Sequence, residues 1–389
     1  MYKYSAKSNL VLGVLSALAL LALLAVENGT VDVEQDWYQE KLEASNLAKD
    51  AMEAIKNHRL EKGIFLDVVN DPNQTAMIGQ EYTLVTTDRG YIDSKLSSTN
   101  PNFAAVIVQM LKDAGLDAGD KVAIAFTGSF PALNVSVYAA LASQDMEPIA
   151  ITSVGASNFG ANDPYFTWLD MEAFLYRNDV FSYKSFAASV GGGNDVGRGL
   201  SPQGRNLIKE AIKRNQLEFI DEPHLENSIA RRMEIYAEHA GEEGVKAFIN
   251  VGGGIASLGN TINGRLIHAG LTEYLPLRNF PVKGVIIQMG QAGVPIIHLL
   301  NIGNLCETYG LPETPVPLPD PGDGGIFTQE KYNVMVAGIS AFILVVIIVL
   351  VYRGERKYHR LGTDIVPVSQ KIRKSQVSNA DTLDESSVL

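Results

Sequence analysis

Two uninterrupted apolar runs, one near each end of the chain, constrain everything between them. Leu10–Val26 (LVLGVLSALALLALLAV) and Tyr332–Tyr352 (YNVMVAGISAFILVVIIVLVY) contain no charged residue. Crossing a hydrocarbon layer of about 30 Å takes on the order of 20 apolar helical residues, so the second run is long enough and the first is at the short end. Both are read as transmembrane helices. Lys3 and Lys7 precede the first run, and Arg353, Arg356, Lys357 and Arg360 follow the second. Basic flanks stay on the cytoplasmic side. The expectation is a two-pass plasma-membrane protein with both termini cytoplasmic and its main domain extracytoplasmic. A cleaved signal peptide is the competing reading of the first run. Its A-x-A-like site, Ala17-Leu18-Ala19, lies inside the apolar stretch, and a cut after Ala25 would put Leu23 where a small residue belongs.

The stretch between the runs, residues 27–331, carries 23 Lys and Arg against 39 Asp and Glu, a net charge of −16. Such a surface repels nucleic acid and anionic lipid at long range, so any polyanion must be met at a local site. Cys306 is the only cysteine, which rules out an intramolecular disulfide and leaves stability to an ordinary core.

Helical and strand patterns alternate through this stretch. Ala44, Leu47, Ala48, Ala51 and Ile55 recur at helical spacing, which predicts a stem helix over Asp36–Leu60 within a connecting segment 27–99. From 100 to 311, helix starts at Asn100-Pro101, Asp163-Pro164 and Ser201-Pro202 alternate with short apolar strands. The strands are Lys121–Phe126, Pro148–Thr152, Ser185–Val190, Lys246–Val251 and Val294–Leu299. This is the pattern of an α/β domain with a mostly parallel sheet and helices on both faces. Residues 312–331 read as a Pro/Gly-rich linker, 1–9 as a short cytoplasmic amino terminus, and 353–389 as a polar cytoplasmic tail.

Four of the strands run into loops of small residues, around Gly128-Ser129, Gly155 to Ser157, Gly192-Gly193-Asn194, and Gly253-Gly254. Parallel strands place their carboxyl ends on one edge, where ligands bind and where glycine lets backbone approach them closely. Arg198 and Arg205 flank the next helix start and could clamp an anion with their two-pronged guanidinium groups. The candidate ligand site is therefore Gly128, Ser129, Gly155, Ser157, Gly192, Gly193, Asn194, Arg198, Gly253 and Gly254. Tight strand-to-helix turns also require glycine for geometry alone. No phosphate-binding loop is present, and Gly252, Gly254 and Ser257 miss the last glycine of the dinucleotide fingerprint, so no nucleotide cofactor is expected.

Ser129 is the one candidate nucleophile, although Thr127 and Pro131 keep it out of a G-x-S-x-G elbow and a helix-capping role is the more economical reading. His224, His239, His268 and His298 lack metal-ligand spacing, so no metal is expected. Trp168 and Asp170 read as packing and surface charge.

Several segments together resemble the poly-gamma-glutamate system proteins, which accompany the ligase and transport components that make and export that polymer. They are Ser97–Phe103, Gly128–Asn134, Ser153–Ser157, Phe166–Glu172, Gly197–Pro202 and Asn250–Gly254. The resemblance implies an accessory role in poly-gamma-glutamate biosynthesis or export, contact with the anionic polymer or its synthase and export partners, and a place in capsule formation. It brings no catalytic residues with it. The alternative is an extracytoplasmic hydrolase or transferase acting on gamma-glutamyl chains through Ser129 or a neighbour. A tethered receptor for a small organic acid is a third reading.

Overall fold

A computed structural model describes residues 8–64 and 66–363. Lys3, Lys7, nearly all of the expected amino-terminal segment and the tail beyond 363 lie outside the described residues. The chain divides into two compact units, one made of residues 1–33 with 330–389 and the other Glu34–Gln329.

The first unit contains the helices Asn9–Glu27 and Val334–Thr363. Both are long and apolar enough to cross a membrane, and no residue of their apolar windows is buried by protein.

The second unit is an α/β domain built on a seven-stranded sheet. In chain order the strands are β1 (Lys121–Thr127), β2 (Glu147–Ser153), β3 (Ala187–Ser189), β4 (Glu218–Phe219), β5 (Ala247–Val251), β6 (Gly270–Thr272) and β7 (Ile296–Leu299). Their spatial order is β6-β7-β5-β1-β2-β3-β4. All neighbours are parallel except β6, which runs antiparallel to β7. From β1 the chain steps outward to β4, then returns to lay β5 on the opposite side of β1. The strand order therefore reverses between β1 and β5, and a crevice opens there beyond the carboxyl ends.

Alternate residues of β1 enter different apolar clusters, as a two-residue side-chain period requires. Val122, Ile124 and Phe126 join one with Ala48, Ile55, Ile107 and Leu133, while Ala123 and Ala125 join a second with Ile235, Tyr236, Phe248 and Ile286. Each fully buried large apolar side chain in these clusters contributes about 1.5–3 kcal/mol.

The helix expected as a stem, Tyr38–Glu61, is a layer of this domain, with Ala44, Ala48, Ala51 and Ile55 wholly buried. The stretch read as a linker is also tied to it. Asn102 Nδ2 donates to the carbonyls of Asp320 (2.9 Å) and Asp323 (3.0 Å), and Ile326 and Phe327 are buried.

Asp163-Pro164 does not start a helix. Asn162–Asp163 and Phe166–Thr167 form a two-stranded hairpin, and the helix begins at Trp168 under a capping box of Thr167 and Asp170. Asp170 Oδ2 accepts the Thr167 amide at 2.7 Å and the Thr167 hydroxyl at 2.8 Å, which fixes the helix start there.

Candidate functional site

The loops after the strands are locked together by close backbone approaches. A Cβ on Gly128, just past β1, would lie 2.4 Å from the Val154 carbonyl oxygen, so only glycine lets the β1 and β2 loops touch. After β3 the backbone turns through left-handed conformations at Gly191, Gly192, Asn194 and Asp195. That turn carries Asp195 under the strand ends. Its Oδ1 accepts from Ser189 Oγ (2.7 Å) and Ser153 Oγ (3.2 Å), and its Oδ2 from Ser228 Oγ (2.6 Å) and an Arg232 amine (3.0 Å). Asp195 and Arg232 are both buried. Their pairing, with three serine hydroxyls, braces the glycine loop from beneath.

Above this brace a cavity of about 810 Å³ opens at the β1/β5 crevice. Among the sequence-selected residues, Ser129, Gly155, Ser157, Gly192, Gly193, Gly253 and Gly254 line it. Gly128, Asn194 and Arg198 are not part of its lining. Gly128 is buried in the loop junction, and Asn194 and Arg198 are exposed. Arg205 donates to the Leu200 carbonyl at 2.7 Å. Ser129 is not a helix cap. The helix Pro131–Ser143 has Phe130 at that position, and Ser129 Oγ instead accepts the Ser157 amide at 3.1 Å. Because Pro131 supplies no N–H, the first turn has one fewer amide for a cap to satisfy.

Lys95 reaches this cavity from the helix Ile92–Ser98 and is 2% exposed. Its Nζ donates to the Ser129 carbonyl and to Ser157 Oγ (2.9 Å), and lies 3.8 Å from the centre of the Phe130 ring. It forms no ion pair among the described residues. Burial alone pushes its pKa down from the usual lysine range to about 7. Nothing local in the sequence distinguishes Lys95. It lies in a serine-rich connecting stretch, and only the fold makes it a buried amine.

His298, on β7, also lines the cavity and is wholly buried. Asn250 Nδ2 faces His298 Nδ1 at 3.0 Å, which assigns the proton to Nε2. Among the described residues Nε2 has no hydrogen-bond partner, although the Gly264 backbone is near enough to favour the protonated ring. Burial pushes the imidazole pKa down to about 4, so the ring is neutral at physiological pH. At the mouth stand Arg89, Arg265 and His268, all exposed, and Asp88 is the single carboxylate in the lining. Among the described residues no three His, Cys, Asp or Glu side chains converge to hold a metal ion. Compared with known family models, with curated proteins and with solved structures, the chain finds no match.

Proposed function

We propose that this chain is a membrane-anchored extracytoplasmic accessory protein of poly-gamma-glutamate biosynthesis or export, and that its sheet-edge cavity binds a carboxylate-bearing ligand. The observation that carries this reading is the charge of the cavity lining. The exposed Arg89 and Arg265 outnumber the one carboxylate of the lining, Asp88, within a chain of net charge −12. A local positive site in an acidic protein selects anions that its outer surface does not attract. The volume suits a short stretch of polymer or a compact organic acid, since small-molecule pockets run to about 300–1,000 Å³. The segments that resemble poly-gamma-glutamate system proteins include Gly128–Asn134, Ser153–Ser157 and Asn250–Gly254, which supply part of this lining.

The two apolar helices and their basic flanks favour both termini inside and Glu34–Gln329 outside. The split of β1 side chains between two apolar clusters supports helices on both faces of the sheet.

Calorimetric titration of the full chain in detergent with gamma-linked glutamate oligomers is the test. Affinity should fall as salt rises, because exposed arginines are screened. Arg89→Ala combined with Arg265→Ala should weaken it at least tenfold, and Arg198→Ala, outside the cavity, should leave it unchanged. Absence of binding at low salt, or equal affinity in the double variant, removes the reading.

A further inference from the structure

Lys95 and Ser157 satisfy each other in a way that suits chemistry better than charge storage. A neutral amine has two N–H donors and one lone pair. Lys95 Nζ has three partners: the Ser129 carbonyl, the face of Phe130 and Ser157 Oγ. The carbonyl can only accept and the ring face also takes a donor, so in the neutral form the lone pair is left for the Ser157 hydroxyl proton at 2.9 Å. Ser157 is itself held in place. Its residue pair Ala156–Ser157 forms a short parallel ribbon with Thr86–Asp88, and its amide donates to Ser129 Oγ. Both Lys95 and Ser157 line the cavity.

We propose that Ser157 and Lys95 are a nucleophile and general base for acyl transfer, acting on an amide or ester whose neighbouring carboxylates rest against Arg89 and Arg265. The substrate class rests on the anion-binding reading above; the nucleophile does not. Ser157 Oγ bonds to the acyl carbon while its proton passes to Lys95 Nζ. The carbon–nitrogen or carbon–oxygen bond then breaks, and Lys95 returns that proton to the departing amine or alcohol. Water attacks the ester left on Ser157, again giving a proton to Lys95. The acid product leaves, and Ser157 recovers its hydroxyl proton from Lys95. An amine in place of water yields transfer instead of hydrolysis. Ser129 is a positioning residue, since its hydroxyl takes the Ser157 amide and its carbonyl takes Lys95.

Burial keeps an appreciable share of Lys95 neutral near pH 7, which is what a base at this position needs. The other charged and titratable groups around the cavity are Asp88, Arg89, Tyr91, Arg265, His268 and His298, with Asp93 on the lysine's own helix. None of them contributes to the lowering of the Lys95 pKa.

The full chain in detergent is treated with a small uncharged fluorophosphonate, and the adduct is located by peptide mass spectrometry. The expected result is modification of Ser157 at a rate that climbs with pH through about 7 and then levels. Ser157→Ala should abolish it, Lys95→Met should slow it about 100-fold, as loss of a general base does, and Ser129→Ala should still be labelled at Ser157. No adduct at pH 8, an adduct only elsewhere, or an unchanged rate in Lys95→Met overturns the proposal. Should Lys95→Met fail to fold by thermal melting, the pH profile of the parent decides, and a flat profile overturns it. Gamma-linked glutamate oligomers should slow the labelling. Labelling without that protection keeps the nucleophile and discards the ligand; calorimetric binding without labelling does the reverse.

Discussion

Arg232 and Lys95 are both buried basic side chains beneath loops of the same sheet edge, and the fold treats them in opposite ways. Arg232 is given a carboxylate, Asp195, and shares it with Ser153, Ser189 and Ser228. Lys95 is given a carbonyl, a hydroxyl and an aromatic face, and no carboxylate among the described residues. A guanidinium keeps its proton, and here its charge is met by a carboxylate; an ammonium can lose its proton, and burial lowers the Lys95 pKa to about 7. The paired cation therefore braces the glycine loop, and the other lines the cavity beside Ser157, where the proposed acyl transfer would use it.

The largest effect should come from breaking the paired side. Asp195→Ala strands Arg232 in the interior and removes the acceptor for three hydroxyls. Destabilisation of about 3–5 kcal/mol is expected, the usual cost of leaving half of a buried pair. Denaturant unfolding of the full chain in detergent measures it. A loss below about 1 kcal/mol, the level of a surface pair, would mean that Arg232 finds water or another partner and the contrast with Lys95 fails.

A smaller, pH-dependent effect is expected at a third buried ionisable group. Glu172 Oε1 accepts from Tyr138 Oη (2.7 Å) and Ser185 Oγ (2.9 Å), and burial pushes its carboxyl up to about 7. A raised carboxyl pKa favours the fold while the group stays protonated. That advantage is complete below about 4.5, the unfolded value, and is lost as pH rises through about 7. Glu172→Gln keeps an acceptor oxygen without the charge. It should leave stability unchanged near pH 4.5 and raise it by about 1–3 kcal/mol at pH 8.5, since each tenfold change in proton affinity is worth about 1.4 kcal/mol. Melting temperatures at the two pH values check this, and an equal change at both would show that ionisation is not the cause.

The parts of the molecule that can be read from the sequence are those that local chemistry specifies. Lys121–Phe126 and Lys246–Val251 are apolar runs of strand length, and they become β1 and β5 with boundaries moved by a residue. Ser201-Pro202 starts a helix as expected, with Ser201 Oγ accepting the Gly204 amide at 3.0 Å. Strands β4 and β6 carry no such signal, because two or three residues, Glu218–Phe219 and Gly270–Thr272, hold pairing without any apolar period.

At the site, the four loops are legible because parallel strands must end on one edge. The partners of their residues are not. Ser157 stands out in the sequence only as a small residue in a loop, whereas its contact with Lys95 spans 62 positions. Arg198 is near the glycine loop in sequence, yet the left-handed turn at Asn194 and Asp195 directs the buried contacts through Asp195 instead.

The contrast between Arg232 and Lys95 is tested most directly by titrating Lys95 itself. With lysine Cε carrying carbon-13, and the Lys95 signal assigned by its absence in Lys95→Arg, its chemical shift is followed from pH 5 to pH 11. A midpoint of about 7 is expected. A midpoint near the ordinary lysine value of about 10.5 would contradict it: Lys95 would then be a charged strut like Arg232, and Ser157 would have no base.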